Sequence, residues 1–284
     1  MLAPVILSAF PGCMTTVGVA YSVATLWRYP VKSMQGEELN AADITAGGLL
    51  GDRQFAVIDP ATGRVAGAKN PRKWPGFFYF RAAYTEPPRA GSALPAVRVT
   101  MPGGSSATTD EDGLPQLLSE ALGREVTLSA ALPAAAAEEY VIDDDEVASF
   151  DLPAGTFFDA AVVHLVTTAT LDRLRSLYPE GRFEPRRFRP NIIVATGPDS
   201  TGFVENDWVG HEILIGEHVR LRVTMATGRC VMTTLPQGDL PKDSGILRTA
   251  AQHNNAQVGV YAEVISGGPV RRGEPITVLR RPAG

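Results

Sequence analysis

Short runs of β-branched and other apolar residues, most of them bounded by glycine or proline, constrain the fold of this chain more than any other feature. The chain has 28 glycines and 22 prolines, residues that interrupt helices and favour turns. Nine runs predict strands: Val17–Trp27, Gln54–Asp59, Phe77–Tyr84, Ala96–Met101, Val162–Val166, Asn191–Ala195, His218–Met225, Val258–Ile265 and Ile276–Leu279. Helical spacing is clear in Leu114–Leu122 and in Thr168–Tyr178. We therefore expect a mainly β protein with some α, of barrel-rich or α+β architecture.

Length and one change in composition predict two domains. A chain of 284 residues can form two hydrophobic cores. Between about Ala130 and Gly155 the sequence becomes alanine-rich and then acidic, which is typical of a linker or a long surface loop. We expect domains at residues 18–130 and 137–282. Residues 1–17 are predicted to be an N-terminal tail, for which disorder is one expectation.

Charge, cysteine content and the N-terminal sequence exclude several classes of protein. A net charge of -5 argues against general binding of nucleic acid. The two cysteines, Cys13 and Cys230, are too few for a disulfide framework or for a cluster held by four thiolates. The apolar start lacks the basic region of a signal peptide and is broken by prolines, so neither secretion nor a membrane span is expected. These observations predict a cytoplasmic protein.

Common catalytic motifs are missing. The sequence has no phosphate-binding P-loop, no dinucleotide-binding glycine motif and no nucleophile elbow. His211 and His218 are seven residues apart, whereas two zinc ligands on one helix face are four apart. That segment is better interpreted as a strand with surface histidines.

Arginine is concentrated in one segment. Arg182, Arg186, Arg187 and Arg189 lie within eight residues, directly before Pro190-Asn191 and an apolar run. Guanidinium groups match the geometry of phosphate, so the segment is a candidate anion site. A solvated basic loop is the alternative, and the residues alone leave both open.

Three smaller motifs have two interpretations each. Lys32 and Ser33 lie in a loop after the first strand, and Arg53 stands at a strand entrance. Each of these could be structural. Cys230 follows Gly228-Arg229 at the end of a strand, and a neighbouring cation of this kind is typical of reactive cysteines. A cysteine in such a place could equally be a small buried apolar residue.

Together these motifs resemble one family. Tyr29–Ser33, Gly51–Arg53, Arg187–Ile192, and Arg229-Cys230 with Thr233-Thr234 occur in the order and spacing of the MOSC family, named for the C-terminal domain of molybdenum cofactor sulfurase. The resemblance runs from about Val19 to Leu279 and includes the β-barrel domain that precedes MOSC. The chain is similar to the amidoxime-reducing members of this family that occur in mitochondria, and to their bacterial relatives.

The resemblance implies a molybdenum–molybdopterin cofactor, which combines a terminal phosphate with a dithiolene that binds the metal. Cys230 would be the metal ligand and a catalytic residue, and Asn191 a second catalytic residue that orients substrate. The implied cofactor-binding residues are Lys32, Ser33, Arg53, Asp159, Arg189, Asn191, Gly228 and Arg229. A soft thiolate suits such a metal, and cations suit a phosphate.

One further segment, Phe158–Leu165, resembles the stretch before the family's central helix. Asp159 would meet the pterin there, whereas His164 is expected to be a core residue. Val162 occupies a position where relatives often have proline, which leaves the local loop geometry open.

The activity implied is reductive removal of oxygen from an N-hydroxylated or N-oxide small molecule. External electrons would come from a ferredoxin-, flavin- or cytochrome-type protein. The internal ferredoxin-like domain, the pyridoxal-phosphate domain and the membrane anchor of some relatives are not expected.

Two other functions stay open at this stage. One is a carrier of sulfur or cofactor with a persulfide on Cys230, and the other is a non-catalytic anion-binding scaffold. The acidic run Asp143–Glu146 could dock a basic electron donor or could be a solvated loop.

Overall fold

The computed structural model describes residues 15–16, 21–130, 137–141, 147–152 and 157–280. Cys13, the rest of the expected tail and the acidic run Asp143–Glu146 lie outside them. The strands are β1 Thr15–Thr16, β2 Tyr21–Arg28, β3 Glu37–Leu39, β4 Ala41–Thr45, β5 Gly48–Leu49, β6 Ala56–Asp59, β7 Arg64–Ala66, β8 Arg81–Tyr84, β9 Val97–Thr100, β10 Ser106–Thr108, β11 Thr127–Ser129, β12 Ala137–Val141, β13 Val147–Asp151, β14 Val163–Thr167, β15 Ile192–Ala195, β16 Glu212–Ile215, β17 Val219–Gly228, β18 Gln257–Ser266, β19 Gly268–Arg271 and β20 Pro275–Arg280. The helices are α1 Leu114–Leu122, α2 Thr168–Leu177, α3 Pro185–Phe188 and α4 Gly245–Asn254, with 3-10 turns at Phe77–Tyr79, Val204–Trp208 and Val231–Thr234.

Seven strands close into a barrel in the order β20, β16, β17, β18, β14, β15 and β2, and pairing of β2 with β20 completes the circle. Alternate side chains of these strands point inward, and Leu221, Val223 and Val260 are fully buried there. Closure leaves the barrel without free strand edges. The expected mainly β fold with some α is confirmed.

Most of the remaining strands belong to the N-terminal half, in sheets ordered β11-β6-β7-β12-β13 and β10-β9-β8. Helix α1 covers a separate core there, with Leu114, Leu118 and Leu122 buried at spacings of four. Gly123 ends the helix with a φ of 67°, the left-handed conformation that glycine adopts at little cost. Strand β2 comes from this half of the sequence yet completes the barrel, so the polypeptide path links the two cores.

Helices α2 and α4 pack on the outside of the barrel. Leu171, Leu174 and Ile246 are buried against Val166 and Ile193 of strands β14 and β15. None of the helices in the described ranges has both the length and the apolar character that a membrane crossing requires.

Comparison with the sequence predictions gives matches and corrections. Helix α1 has the predicted bounds, and the segment from His211 to His218 contains strand β16 as interpreted. The linker expected between about 130 and 155 is wrong for its described part, because β12 and β13 form an antiparallel hairpin. The run predicted as one strand, Phe77–Tyr84, begins with a 3-10 turn that buries two phenylalanines. The sequence did not indicate α4. The proposed boundaries of the domains stay a prediction.

Gly259 is a position at which the packing of the barrel leaves no room for a side chain. It has a φ of 85°, and a Cβ there would lie 2.4 Å from the carbonyl oxygen of Leu165. We predict that Gly259→Ala lowers the free energy of unfolding by about 2–4 kcal/mol, through left-handed strain and overpacking. Urea denaturation would measure this. Gly63→Ala is the matched control, because Gly63 also has a positive φ (68°) but no atom within 4 Å. Equal losses in both variants would contradict the packing argument.

Candidate active site

A cleft of about 510 Å³ lies between the end of the barrel and the N-terminal sheets. Its walls carry six cationic side chains: Lys32, Arg53, Lys69, Arg187, Arg189 and Arg229. Two acidic side chains, Glu138 and Asp159, face them. The cleft is therefore strongly cationic in a chain whose net charge is -5. Such a focused field attracts anions.

Three residues of the cleft have strained backbones. Ser33, Arg53 and Arg189 have φ values of 65°, 49° and 54°, which place them among five non-glycine residues with positive φ in the described chain. L-residues rarely adopt this conformation, and it concentrates at functional sites. All three are among the cofactor-binding residues that the family resemblance implies.

Tyr29 contacts two of the arginines. Its ring is buried, with the guanidinium carbon of Arg53 at 5.1 Å and that of Arg189 at 4.2 Å from the centroid. Cation–π attraction offsets part of the cost of burying two like charges side by side. Burial, and then the charge of Arg53, lower the pKa of Arg189 to about 10. Nη2 of Arg189 is buried without a hydrogen-bond acceptor among the described residues. An oxyanion in the cleft could supply one.

Asp52 is the counter-ion that holds this arrangement. Its carboxylate is fully buried, accepts hydrogen bonds from the Tyr29 backbone N–H at 2.7 Å and from Asn191 Nδ2 at 2.9 Å, and pairs with Arg53. Asn191 Oδ1 in turn accepts from the His164 N–H at 3.1 Å. The amide of Asn191 thus lies behind the cleft wall and engages protein groups. Its role in orienting substrate stays a prediction.

Lys32 also lines the cleft and is bonded to Asp159. Its Nζ donates to Asp159 Oδ1 at 2.6 Å and to the Phe157 carbonyl at 2.9 Å. Burial raises the pKa of Asp159, but Lys32 and Lys69 outweigh it and hold that pKa far below its usual range. Asp159 is therefore an ionised, half-exposed carboxylate facing the cleft.

Arg229 is fixed by backbone carbonyls. Its guanidinium donates to the carbonyls of Val258 and Phe188 at 2.7 and 3.1 Å and contacts the ring of His164. Burial, together with the charge of Arg229, holds the pKa of His164 well below its usual value, so the imidazole is neutral. His164 is buried, as expected of a core residue, although its ring also contributes to the cleft wall.

Cys230 lies at the rim of the cleft, two residues after the end of β17. It is exposed, and its carbonyl accepts from the Thr233 N–H at 3.2 Å to begin a 3-10 turn. Gly228 lines the cleft with an ordinary backbone conformation and open space at its Cα. Within the described part of the chain, no group of three or more His, Cys, Asp or Glu side chains could hold a metal ion.

The arginine segment proves to be divided between structure and site. Arg182 and Arg186 form surface ion pairs with Glu184 and Asp239. Arg187 is buried and donates to the carbonyls of residues 182, 233, 235 and 241, so it fixes the segment that follows Cys230. Of the four arginines, Arg189 has the buried, partly unsatisfied guanidinium. Arg182 and Arg186 therefore fit the alternative of a solvated basic loop, whereas an anion site at Arg189 stays a prediction.

Two charged residues of the cleft, Lys69 and Glu138, were not predicted from the sequence. Lys69 follows β7 in a loop without a motif, and Glu138 stands in the region expected to be a linker. Residues 137–141 lack the alternation of apolar and polar residues that would indicate a strand. No signal in the sequence brings these two positions together, because the pairing of β12 with β7 is non-local.

The fold and the cleft define a two-part β protein in which the exposed thiol of Cys230 stands at the rim of a cationic cleft. The chain belongs to the MOSC family: residues 154–277 match the MOSC domain and residues 20–141 match the MOSC N-terminal beta barrel domain. It is 26% identical to mitochondrial amidoxime-reducing component 1 of Mus musculus, over 91% of this chain and 82% of that protein.

Solved structures give weaker likenesses. The YuaD protein from Bacillus subtilis aligns with 94% of this chain and 98% of its own at 13% identity and a TM-score of 0.47. YiiM from Geobacillus stearothermophilus aligns with 52% of this chain and 73% of its own at 16% identity and a TM-score of 0.32.

Loss of the Asp52 charge should weaken the fold and the site together. We predict that Asp52→Asn lowers the free energy of unfolding by about 3 kcal/mol or more, because it leaves Arg53 buried without its counter-ion. Chemical denaturation would measure the loss. Asp207→Asn, at an exposed aspartate, should change stability by less than about 0.5 kcal/mol. Similar stabilities for the two variants would contradict the role given to Asp52.

Proposed function

We propose that this protein is a molybdenum-cofactor-dependent oxidoreductase that reduces N-hydroxylated or N-oxide small molecules. The observation that carries the proposal is the cationic cleft with one exposed thiol, Cys230, at its rim. Membership of the MOSC family and the name of the mouse relative, which specifies amidoxime reduction, support it. When bound, the cofactor would supply the two-electron chemistry that removes oxygen from the substrate.

The residues present fit such a group. Its phosphate is a dianion, and Arg189 Nη2 is a buried donor without a described acceptor. Arg53, Lys32 and Ser33 line the same cleft as Arg189. The Cys230 thiolate would be the protein ligand of the metal, since soft sulfur ligands suit it. Gly228 and Arg229 would flank the pterin, and Asn191 would hold the wall behind it through Asp52.

The residues at the rim of the cleft would determine how a substrate approaches Cys230. Met225 and Val231 line the cleft next to Cys230 and are 50% and 37% exposed. They offer an apolar surface to the body of a small molecule, while Asp159 faces the interior as an ionised carboxylate that can accept a hydrogen bond from a hydroxyl or amine group. Neutral His164 and the anchored Arg229 keep the neighbouring wall rigid.

Electrons would come from a separate redox protein. The chain has two cysteines in all, so it cannot hold an iron–sulfur cluster by four thiolates. We propose a ferredoxin-, flavin- or cytochrome-type donor, and a reducing compartment such as the cytoplasm.

Metal analysis tests the proposal. Protein purified from a host that makes the cofactor should contain close to one molybdenum per chain and should reduce benzamidoxime with a chemically reduced viologen as donor. Cys230→Ala should lower turnover on the order of 100-fold or more. Cys13→Ala, at the other cysteine, is the matched control and should retain turnover. Protein free of molybdenum but with a persulfide on Cys230 would instead favour the sulfur carrier, to which an exposed thiol is also suited.

Two arginines of one segment give a second test. Arg189→Lys should lower the molybdopterin content on the order of 10-fold, because lysine cannot reproduce a fork of donors stacked on Tyr29. Fluorescence of the oxidised pterin would measure it. Arg182→Lys changes an arginine in surface ion pairs and should leave the content unchanged. Equal contents would argue against Arg189 as a ligand of the cofactor.

A further inference from the structure

Two ammonium groups and two carboxylates alternate in one wall of the cleft. Asp159 Oδ1 lies 2.6 Å from Lys32 Nζ and 2.9 Å from Lys69 Nζ. Glu138 Oε2 lies 3.3 Å from Lys32 Nζ and 3.4 Å from Lys69 Nζ. Each lysine therefore forms one short ion pair, with Asp159, and one longer ion pair, with Glu138. Glu138 is the weaker partner of each.

Glu138 is also the more deeply enclosed carboxylate. It has no solvent exposure, and neither of its oxygens accepts a hydrogen bond from a described residue. Gly67 makes the room for it, since a Cβ there would lie 2.3 Å from Glu138 Oε1. A buried carboxylate with ion pairs at 3.3 Å and no hydrogen bond is poorly stabilised as an anion.

The charged groups around Glu138 come from three segments of the chain. Lys32 follows β2, Lys69 follows β7 and Asp159 precedes β14, while His164, Arg229 and Cys230 lie further along the same cleft. Burial raises the pKa of Glu138, and the two lysines only partly oppose it. The pKa of Asp159 is lowered instead. Of the two acids, Glu138 is the one that can accept a proton most easily.

A bound oxyanion would change this balance. A dianion at the lysines would compete with the carboxylates for the same ammonium groups, and the partner held at the longer distance is the first to be displaced. Glu138 cannot turn to solvent, because it is fully enclosed. Next to a second negative charge, a buried carboxylate is stabilised by protonation.

We infer that Lys69 and Glu138 complete the anion site: Lys69 gives a bound oxyanion a second ammonium group, and Glu138 takes up a proton from solvent as that oxyanion displaces it. The inference rests on the proposed function, in which the oxyanion is the cofactor's phosphate. Because bound anion and bound proton favour each other, affinity for the anion must fall as the pH rises between the pKa of free and of occupied Glu138.

Sulfate is a suitable probe, because it stays a dianion over the pH range concerned. The full-length chain from a host that cannot make the cofactor is titrated with sulfate between about pH 5 and 8 at constant ionic strength, and thermal unfolding is followed for each variant. The affinity of the unchanged protein should fall with rising pH, by up to about tenfold per pH unit where one proton is taken up.

The carboxylate arm compares two adjacent glutamates. Glu138→Gln should bind sulfate more tightly than the unchanged protein at neutral pH, and its affinity should depend little on pH. Glu139→Gln is the control, because Glu139 points to the other side of β12 and pairs with Arg64 and Lys73. It should keep the full pH dependence. An unchanged pH slope in Glu138→Gln, or weaker binding, would overturn the inference.

The lysine arm compares two lysines four residues apart. Lys69→Met should weaken sulfate binding on the order of tenfold. Lys73→Met should not, since Lys73 is paired with Asp59 and Glu139 outside the cleft. Equal affinities of the two variants would also overturn the inference. Molybdenum-free protein from a competent host would contradict the proposed function but leave these sulfate results unaffected, so the two failures are distinguishable.

Discussion

The buried carboxylate of Asp52 is the interaction on which the rest of the site depends. It binds the backbone at the end of β2, the amide of Asn191 at the entrance of β15 and the guanidinium of Arg53. Two of these segments are barrel strands, and the third begins the N-terminal sheets. One counter-ion therefore fixes the position of Arg53 and links the barrel to the N-terminal sheets, which together enclose the cleft.

Concentrating positive charge inside an acidic protein is costly, and the chain offsets the cost in several ways. Tyr29 makes cation–π contacts with two guanidiniums, Arg187 and Arg229 donate to backbone carbonyls, and Lys32 and Lys69 share two carboxylates. These contacts hold the cations in place before a ligand binds. Preorganised charge of this kind needs little rearrangement when an anion enters, which is why it favours tight binding.

Much of the fold followed from local patterns. Glycine and proline spacing, with β-branched runs, indicated most barrel strands, and leucine spacing gave α1 its bounds. The hairpin β12–β13 was not predicted, because its burial comes from distant partners. Helix α4 was missed although its buried residues Ile246, Thr249 and Ala250 recur at helical spacing. The motif residues Lys32, Ser33, Arg53, Arg189 and Cys230 do line one cleft. Their proposed roles toward the cofactor rest on the family resemblance.

The sequence by itself determined the class of fold, the family and a set of cationic residues suited to an anion. Only the tertiary structure decided how each of those cations is held: Arg182 pairs at the surface, whereas Arg189 is buried in the wall of the cleft. It alone brought Lys69 and Glu138 to the cleft. The physical reason is that the charge state and direction of a side chain depend on neighbours that are 100 or more residues away, as Lys32 and Glu138 are.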